Sequence, residues 1–157
     1  MQGKIIYQKG DATDPIFLYD NEVRIIIHIC NNTNKWGKGF VMALSSRWPT
    51  IDQIYHKYPQ ILGTIQPLIK ISEDLFVCNM IAQEGIKSVN SVPPIRYDAL
   101  KSCLYSLAEI FKSFNKISIH MPRIGCGLAG GKWSQIKEII NDILITNGFN
   151  VVVYDLV

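Results

Sequence analysis

The sequence predicts a three-layer α/β domain with a mixed, mostly parallel central sheet. Strand-like and helix-like segments alternate along the chain with short polar breaks between them. Val23 to Cys30 is a nearly unbroken apolar run, the pattern of a central strand covered on both faces. Two glycine-rich loops, one around Gly37 and Gly39 and one from Gly125 to Gly131, each follow a hydrophobic strand and lead into an apolar helix start.

Ile5 to Lys9 reads as the first strand, left by the turn Gly10-Asp11-Ala12-Thr13. After the central strand, Phe40, Val41, Leu44 and Trp48 fall at helical spacing until Pro49, and Thr50 to Tyr58 forms a second short helix. Ile65 to Ile71 and Leu75 to Ile81 read as an antiparallel pair joined at Ser72-Glu73-Asp74, followed by a loop from Glu84 to Pro94. Apolar residues at 100, 104, 107, 111 and 114 trace one face of a long helix that the Pro93-Pro94 pair opens. Ile117 to Met121 is a strand. Trp133, Ile136, Ile139, Ile140, Ile143 and Leu144 face one side of a last helix that Asn147-Gly148 ends, and Val151 to Leu156 closes the sheet.

With 157 residues, the chain matches one domain able to bury a substantial core. A net charge of +3, with the basic residues scattered, is too mild to argue for a nucleic-acid surface. Cys30, Cys78, Cys103 and Cys126 have no CxxC spacing, which favours free thiols in a reducing compartment over disulfides or zinc. No apolar run reaches the roughly 18 residues of a membrane span. A cytoplasmic monomer without membrane partners is therefore expected, and no His/Cys/Asp cluster has metal-ligand spacing.

Met121 to Trp133, MPRIGCGLAGGKW, places four glycines between a strand and a helix. Such a loop lets backbone N–H groups approach a phosphate, and the following helix directs its positive dipole end to the same place. A glycine-rich tight turn is the plainer alternative, but Ile25 to Leu44 repeats the design. Two such loops at strand ends are placed to grip one elongated phosphorylated molecule. Neither matches the P-loop or the Gly-x-Gly-x-x-Gly dinucleotide pattern.

These residues resemble the macrodomain family, the ADP-ribose-binding fold, over essentially the whole chain. The resemblance rests on Gly10-Asp11 after strand one, His28-Ile29-Cys30-Asn31 running into Gly37-Lys38-Gly39, the Pro122 to Leu128 loop, and Val153-Tyr154-Asp155-Leu156. The His-x-Cys-Asn strand end is similar to the branch that holds ADP-ribose 1''-phosphate phosphatases, terminal ADP-ribose glycohydrolases and bacterial stand-alone macrodomains. It implies an α/β/α macrodomain with ADP-ribose or its 1''-phosphate as partner, ADP-ribosylated macromolecules as further partners, and no cofactor. Asp11, beside Ala12, would accept from the adenine amine, although a turn-capping Asp is the plainer reading. Asn31 would hold the distal ribose, with Trp36, Gly37, Lys38, Gly39 and Phe40 along it. Arg123, Ile124, Gly125, Cys126, Gly127 and Leu128 would wrap the diphosphate. Tyr154 and Leu156 would flank the adenine, with core packing as the competing explanation.

Two departures from the resemblance bear on chemistry. Ala129 and Gln83 stand where glycohydrolase relatives would carry an acid and a lysine, and neither can act as acid or nucleophile. Hydrolysis of ADP-ribose 1''-phosphate is the better enzymatic expectation, with His28 handling a proton and Asn31 orienting water or ribose. A buried neutral His28 is the competing reading, and His56 and His120 hold no comparable position. A non-catalytic ADP-ribose-binding module is the alternative class, and an ADP-ribosyl glycohydrolase with a non-standard catalytic set, drawing on Lys38, Lys87 or Lys132, is the alternative enzyme. A nucleic-acid or poly-ADP-ribose binder using Lys35, Trp36 and Lys38 is a third.

Overall fold

The computed structural model describes residues 3 to 156. Six strands form one sheet: β1 (Ile5–Lys9), β2 (Val23–Asn31), β3 (Ile69–Ser72), β4 (Leu75–Gln83), β5 (Ile117–Pro122) and β6 (Asn150–Asp155). Their order is β1-β6-β5-β2-β4-β3, with every pair parallel except the β3–β4 hairpin. The mixed, mostly parallel sheet read from the sequence is therefore what forms. β3 is shorter than expected, because Ile65 keeps only an isolated bridge to Met80 before the chain straightens.

Helices α1 (Phe40–Arg47), α2 (Thr50–Lys57), α3 (Tyr97–Phe111) and α4 (Trp133–Ile140) complete the layers. The last continues into a π-helical turn, Asn141–Ile145, which the sequence does not announce. On one face Ile25, Ile27, Ile119 and Val151 pack against Leu100, Leu104, Ile136 and Ile140 of α3 and α4. On the other, Ile26 and Val77 meet Leu44 of α1 and Ile51 of α2. Among the described residues, no helix is long and apolar enough to cross a membrane.

The two faces differ in chemistry. The α3–α4 side is apolar, whereas the opposite side carries Arg24, His28, Asn79, Ser118 and His120, all buried. Buried polar groups require partners, and here they form chains. Asn79 accepts from His28 Nε2 at 2.5 Å and donates to Gln66 Oε1 at 2.9 Å. Gln66 Nε2 then donates to the carbonyls of Tyr55, Tyr58 and Pro59, satisfying the exposed carbonyl end of α2. A second chain joins Ser118 Oγ, His120 and the Tyr154 hydroxyl, which also accepts from the Ile16 amide.

Asn79 is the hinge of the first chain. Asn79→Ala leaves His28 and Gln66 each with a buried polar atom unpaired, so urea denaturation should show a loss of about 2 to 4 kcal/mol. A loss of only a few tenths would mean that the chain contributes nothing.

Candidate functional site

The carboxyl ends of β2, β4 and β5 point the same way, and two contiguous cavities lie beyond them. The larger, about 560 Å³, is walled by Asn31, Asn34, Lys35, Trp36, Gly37, Lys38 and His56. The smaller, about 230 Å³, lies between Gly39-Phe40 and the Pro122 to Ala129 loop. Ile29, Lys38, Val41, Gln83 and Leu128 line both, so they form one cleft. A larger recess of about 840 Å³ opens at the opposite, amino-terminal edge of β5 and β6, where neither glycine loop reaches.

The glycines divide by what they do. A Cβ at Gly131 would sit 2.5 Å from the Gly125 carbonyl, and one at Gly125 would press on Ile29, Ile95 and Ile136. These two glycines serve the turn itself. At Gly37, Gly39 and Gly127 a Cβ would meet nothing within 4 Å, so their missing side chains leave open space facing the cleft. Gly39 also caps α1 without any side-chain bond, which leaves that helix's first amides available beside the smaller cavity. The expected helix end after the second loop does not reach the cleft, since no residue of α4 lines either cavity.

Of the residues expected from the sequence, His28, Asn31, Trp36, Gly37, Lys38, Gly39, Phe40, Arg123, Ile124, Gly125, Gly127 and Leu128 line the cleft. Asp11, Ala12, Cys126, Tyr154 and Leu156 line neither cavity. Ala12 and Tyr154 are 3% and 4% exposed and pack with Val152, so both belong to the core rather than to an adenine face. Burial pushes the Tyr154 phenol up to about 12, in keeping with a structural hydroxyl. Leu156 is exposed past the end of β6. Asp11 caps its own turn, with Oδ1 accepting from the Thr13 amide at 2.8 Å and its hydroxyl at 2.7 Å, and Arg47 stands 3.8 Å from Oδ2. Burial opposes ionisation of Asp11, but the Thr13 bonds and Arg47 outweigh it and hold the carboxyl below the usual range.

The proton-handling role expected of His28 requires correction. His28 is 2% exposed, wedged against the rings of Trp36 and Phe40, with Nε2 committed to Asn79. Burial lowers its pKa to about 4, so the ring is neutral and does not titrate near pH 7. Asn31 Oδ1 accepts from the Thr33 amide and hydroxyl, the Lys35 amide and the Tyr55 hydroxyl, while Nδ2 donates to the Lys35 carbonyl at 2.7 Å. With its oxygen and one amide proton spent on the loop, Asn31 shapes the wall and keeps one N–H of Nδ2 unpaired. Trp36 is half-buried and pinned through Nε1 to Ser45 Oγ at 2.7 Å, so it forms a fixed wall rather than a mobile cover. Arg123 is paired bidentately with Asp155, at 2.6 and 2.9 Å, and its guanidinium lies over the edge-to-face pair of Tyr7 and Trp133.

Ala129 is buried, and Gln83 donates its Nε2 to the Gly85 carbonyl at 3.0 Å. Neither position supplies an acid or an amine to the cleft. His56, given no role from the sequence, is exposed and lines the larger cavity. Asn34 and Ile86 line it too, and no spacing signal in the sequence marks any of the three.

A mostly parallel sheet with helices on both faces and two glycine loops framing a cleft at its carboxyl edge defines a three-layer α/β domain. No family model matches the chain. The chain is 46% identical to a Bacteroides thetaiotaomicron protein of unknown function, with 98% of each chain covered and a TM-score of 0.89. It is 38% identical to a macrodomain protein from Streptomyces coelicolor, covering 97% of this chain and 99% of that one, with a TM-score of 0.81. The chain belongs to the macrodomain family. The ADP-ribose 1''-phosphate phosphatase of Candida albicans is 24% identical over 88% of this chain and 92% of its own length.

The two buried histidines set an acid limit on stability. Burial lowers His120 to about 3, helped by the Arg24 guanidinium, as it lowers His28 to about 4. Unfolding frees both rings to bind protons near their ordinary pKa of about 6.5, so stability rises with pH between the two sets of values. Below about pH 6.5 each ring should withdraw up to about 1.4 kcal/mol per pH unit. Urea midpoints measured from pH 7 down to pH 4 should fall accordingly. His120→Phe should flatten the slope by about one proton, and an unchanged slope would contradict a buried neutral His120.

Proposed function

We propose that the chain binds ADP-ribose in the cleft between the two glycine loops and hydrolyses ADP-ribose 1''-phosphate to ADP-ribose and inorganic phosphate. The observation that carries the binding reading is the pair of contiguous cavities between the loops, with open glycine surface at Gly37, Gly39 and Gly127. A diphosphate between Gly39 and Gly127 meets backbone rather than side chains, with Lys38 alongside. The adenosine then runs toward the half-exposed Asp11 and exposed Leu156, and the distal ribose toward the larger cavity.

Similarity to the Candida albicans phosphatase over nearly its whole length supports the hydrolytic half of the reading. Chemistry favours it over removal of ADP-ribose from macromolecules, because Gln83 and Ala129 supply neither lysine nor acid. Phosphomonoester cleavage depends chiefly on positioning, charge stabilisation and one proton-handling group. Lys35 and Lys38 line the larger cavity and supply positive charge for a terminal phosphate.

Calorimetric titration with ADP-ribose should give saturable one-to-one binding that persists at high salt. Gly127→Glu has room to fold, yet places bulk and negative charge on the diphosphate path, so affinity should fall more than about tenfold. Incubation with ADP-ribose 1''-phosphate should release inorganic phosphate. Tight binding without release would leave a binding module and remove the enzyme.

A further inference from the structure

The recess of about 840 Å³ at the amino-terminal edge of β5 and β6 is the largest concavity outside the cleft. Five Phe, Tyr and Trp side chains are exposed among the described residues, and three of them, Phe17, Tyr19 and Phe114, line it. Exposed apolar area gathered in one place marks a surface that meets a ligand or partner. Each of the three rings is also held from behind. Phe17 lies on the Arg24 guanidinium, 3.6 Å from the ring centroid, and the buried Arg24 is itself fixed by the Pro15 carbonyl at 2.6 Å and Asp74 at 3.2 Å. The Tyr19 hydroxyl accepts from Asn150 Nδ2 at 2.9 Å. Phe114 packs edge-on against buried Phe111, with ring centroids 5.3 Å apart. Between Phe17 and Tyr19 the chain is pinned by the Leu18 amide, which donates to Oε1 of buried Glu22 at 2.6 Å.

Rings fixed before a ligand arrives lose little freedom on binding, so the recess presents preformed stacking surfaces. Its charged groups differ in availability. Lys112 is paired with Glu109, whereas the exposed Lys116 and Asp20 enter no ion pair among the described residues. We infer that this recess binds a ribonucleotide, with the base stacked on the aromatic platform led by Phe17, the phosphate on Lys116 and the ribose hydroxyls on Asp20. A purely apolar ligand leaves Lys116 and Asp20 without partners, and a bare phosphate leaves the rings unused. A ribonucleotide answers all three, because a carboxylate only accepts hydrogen bonds and the ribose hydroxyls donate them. The guanidinium beneath Phe17 draws on one face of the ring, which favours an electron-rich base on the other. A free nucleotide and one residue of a single-stranded RNA present the same chemistry. The inference is independent of the cleft, which lies at the other end of the strands.

The test is an amide NMR titration of the isotopically labelled chain with adenosine 5'-monophosphate, adenosine and ribohexaadenylate. Amides of Tyr19, Asn115, Lys116 and Asn150 report on the recess, and those of Gly37 and Gly127 report on the cleft. The monophosphate should shift the recess amides saturably. Phe17→Leu and Phe114→Leu, which keep apolar bulk but remove the ring, should each weaken binding at the recess by about fivefold or more and leave binding at the cleft unchanged. Lys116→Gln should remove the advantage of the monophosphate over adenosine. Hexanucleotide binding at the recess tighter than the monophosphate by more than about tenfold would identify a strand as the ligand, and near-equal binding a free nucleotide; both support the site. Recess amides unmoved by all three ligands at millimolar concentration, or moved equally in both ring variants, would overturn it. Recess shifts that depend on protein concentration alone would overturn it in favour of a second copy of the chain. Because the cleft is read from its own amides, each of these outcomes leaves the ADP-ribose reading to be judged separately.

Discussion

One wall of the cleft is held in place by the side chain of Asn31. β2 ends there, and the pairing with β4 shifts register between Cys30 and Asn31, so that Asn31 sits opposite Gln83. From that position its carboxamide gathers the Thr33 and Lys35 amides and the Tyr55 hydroxyl while bonding the Lys35 carbonyl. A five-residue turn is thereby closed around one side chain, with α2 fastened to it through Tyr55. Trp36, the glycine pair and the start of α1 all follow from where that turn releases the chain. A loop with so many exposed glycines would otherwise have little to define its path.

That constraint also explains the unequal faces of the sheet. α3 and α4 cover their side with apolar contacts, and of that cluster Ile29 and Ile124 reach the cleft. The other side has to fix α2, because α2 carries both Tyr55 and His56. It does so through the chain from His28 by way of Asn79 and Gln66 to the last carbonyls of the helix, which sets both the height and the rotation of α2. A buried polar chain is directional where an apolar contact is not. His28 thus acts on the cleft from beneath, as a positioning residue, and the same burial that fits it to that work removes its proton-handling capacity.

Much of the fold was legible because it depends on periodicity. The unbroken apolar run of β2, the helical spacing of α3 and the glycine punctuation after β2 and β5 each mark an element with little help from the rest of the chain. The short β3 and the π-helical turn after α4 depend on pairing and strain that no local pattern encodes. The cleft was legible at its backbone surfaces for the same reason, since open glycines are a sequence feature. Side-chain roles were less so. The alternation of β6 announces that Tyr154 faces one side, yet the lid of residues 12 to 18 that buries it comes from elsewhere in the chain. His28 looked reactive because it stands three residues from a strand end, while its partner Asn79 lies on a neighbouring strand. His56 was invisible because spacing on α2 places it beside Asp52 but says nothing of Asn34, which the turn around Asn31 brings across.

Within the proposed function, Gln83 and Ala129 on one hand and the basic residues on the other line the same cleft. Gln83 and Ala129 lie on the β4 and β5 side, where chemistry on a macromolecular linkage would call for an amine and an acid. Lys35, Lys38 and His56 lie on the β2 and α2 side, where the distal end of the ligand rests. In that reading the open glycines would hold the diphosphate, and Lys35 and Lys38 would favour a small anionic terminus over a protein or nucleic-acid conjugate. Selectivity of this kind would arise from which side chains line the cleft, on a fold and glycine loops that themselves explain only the grip.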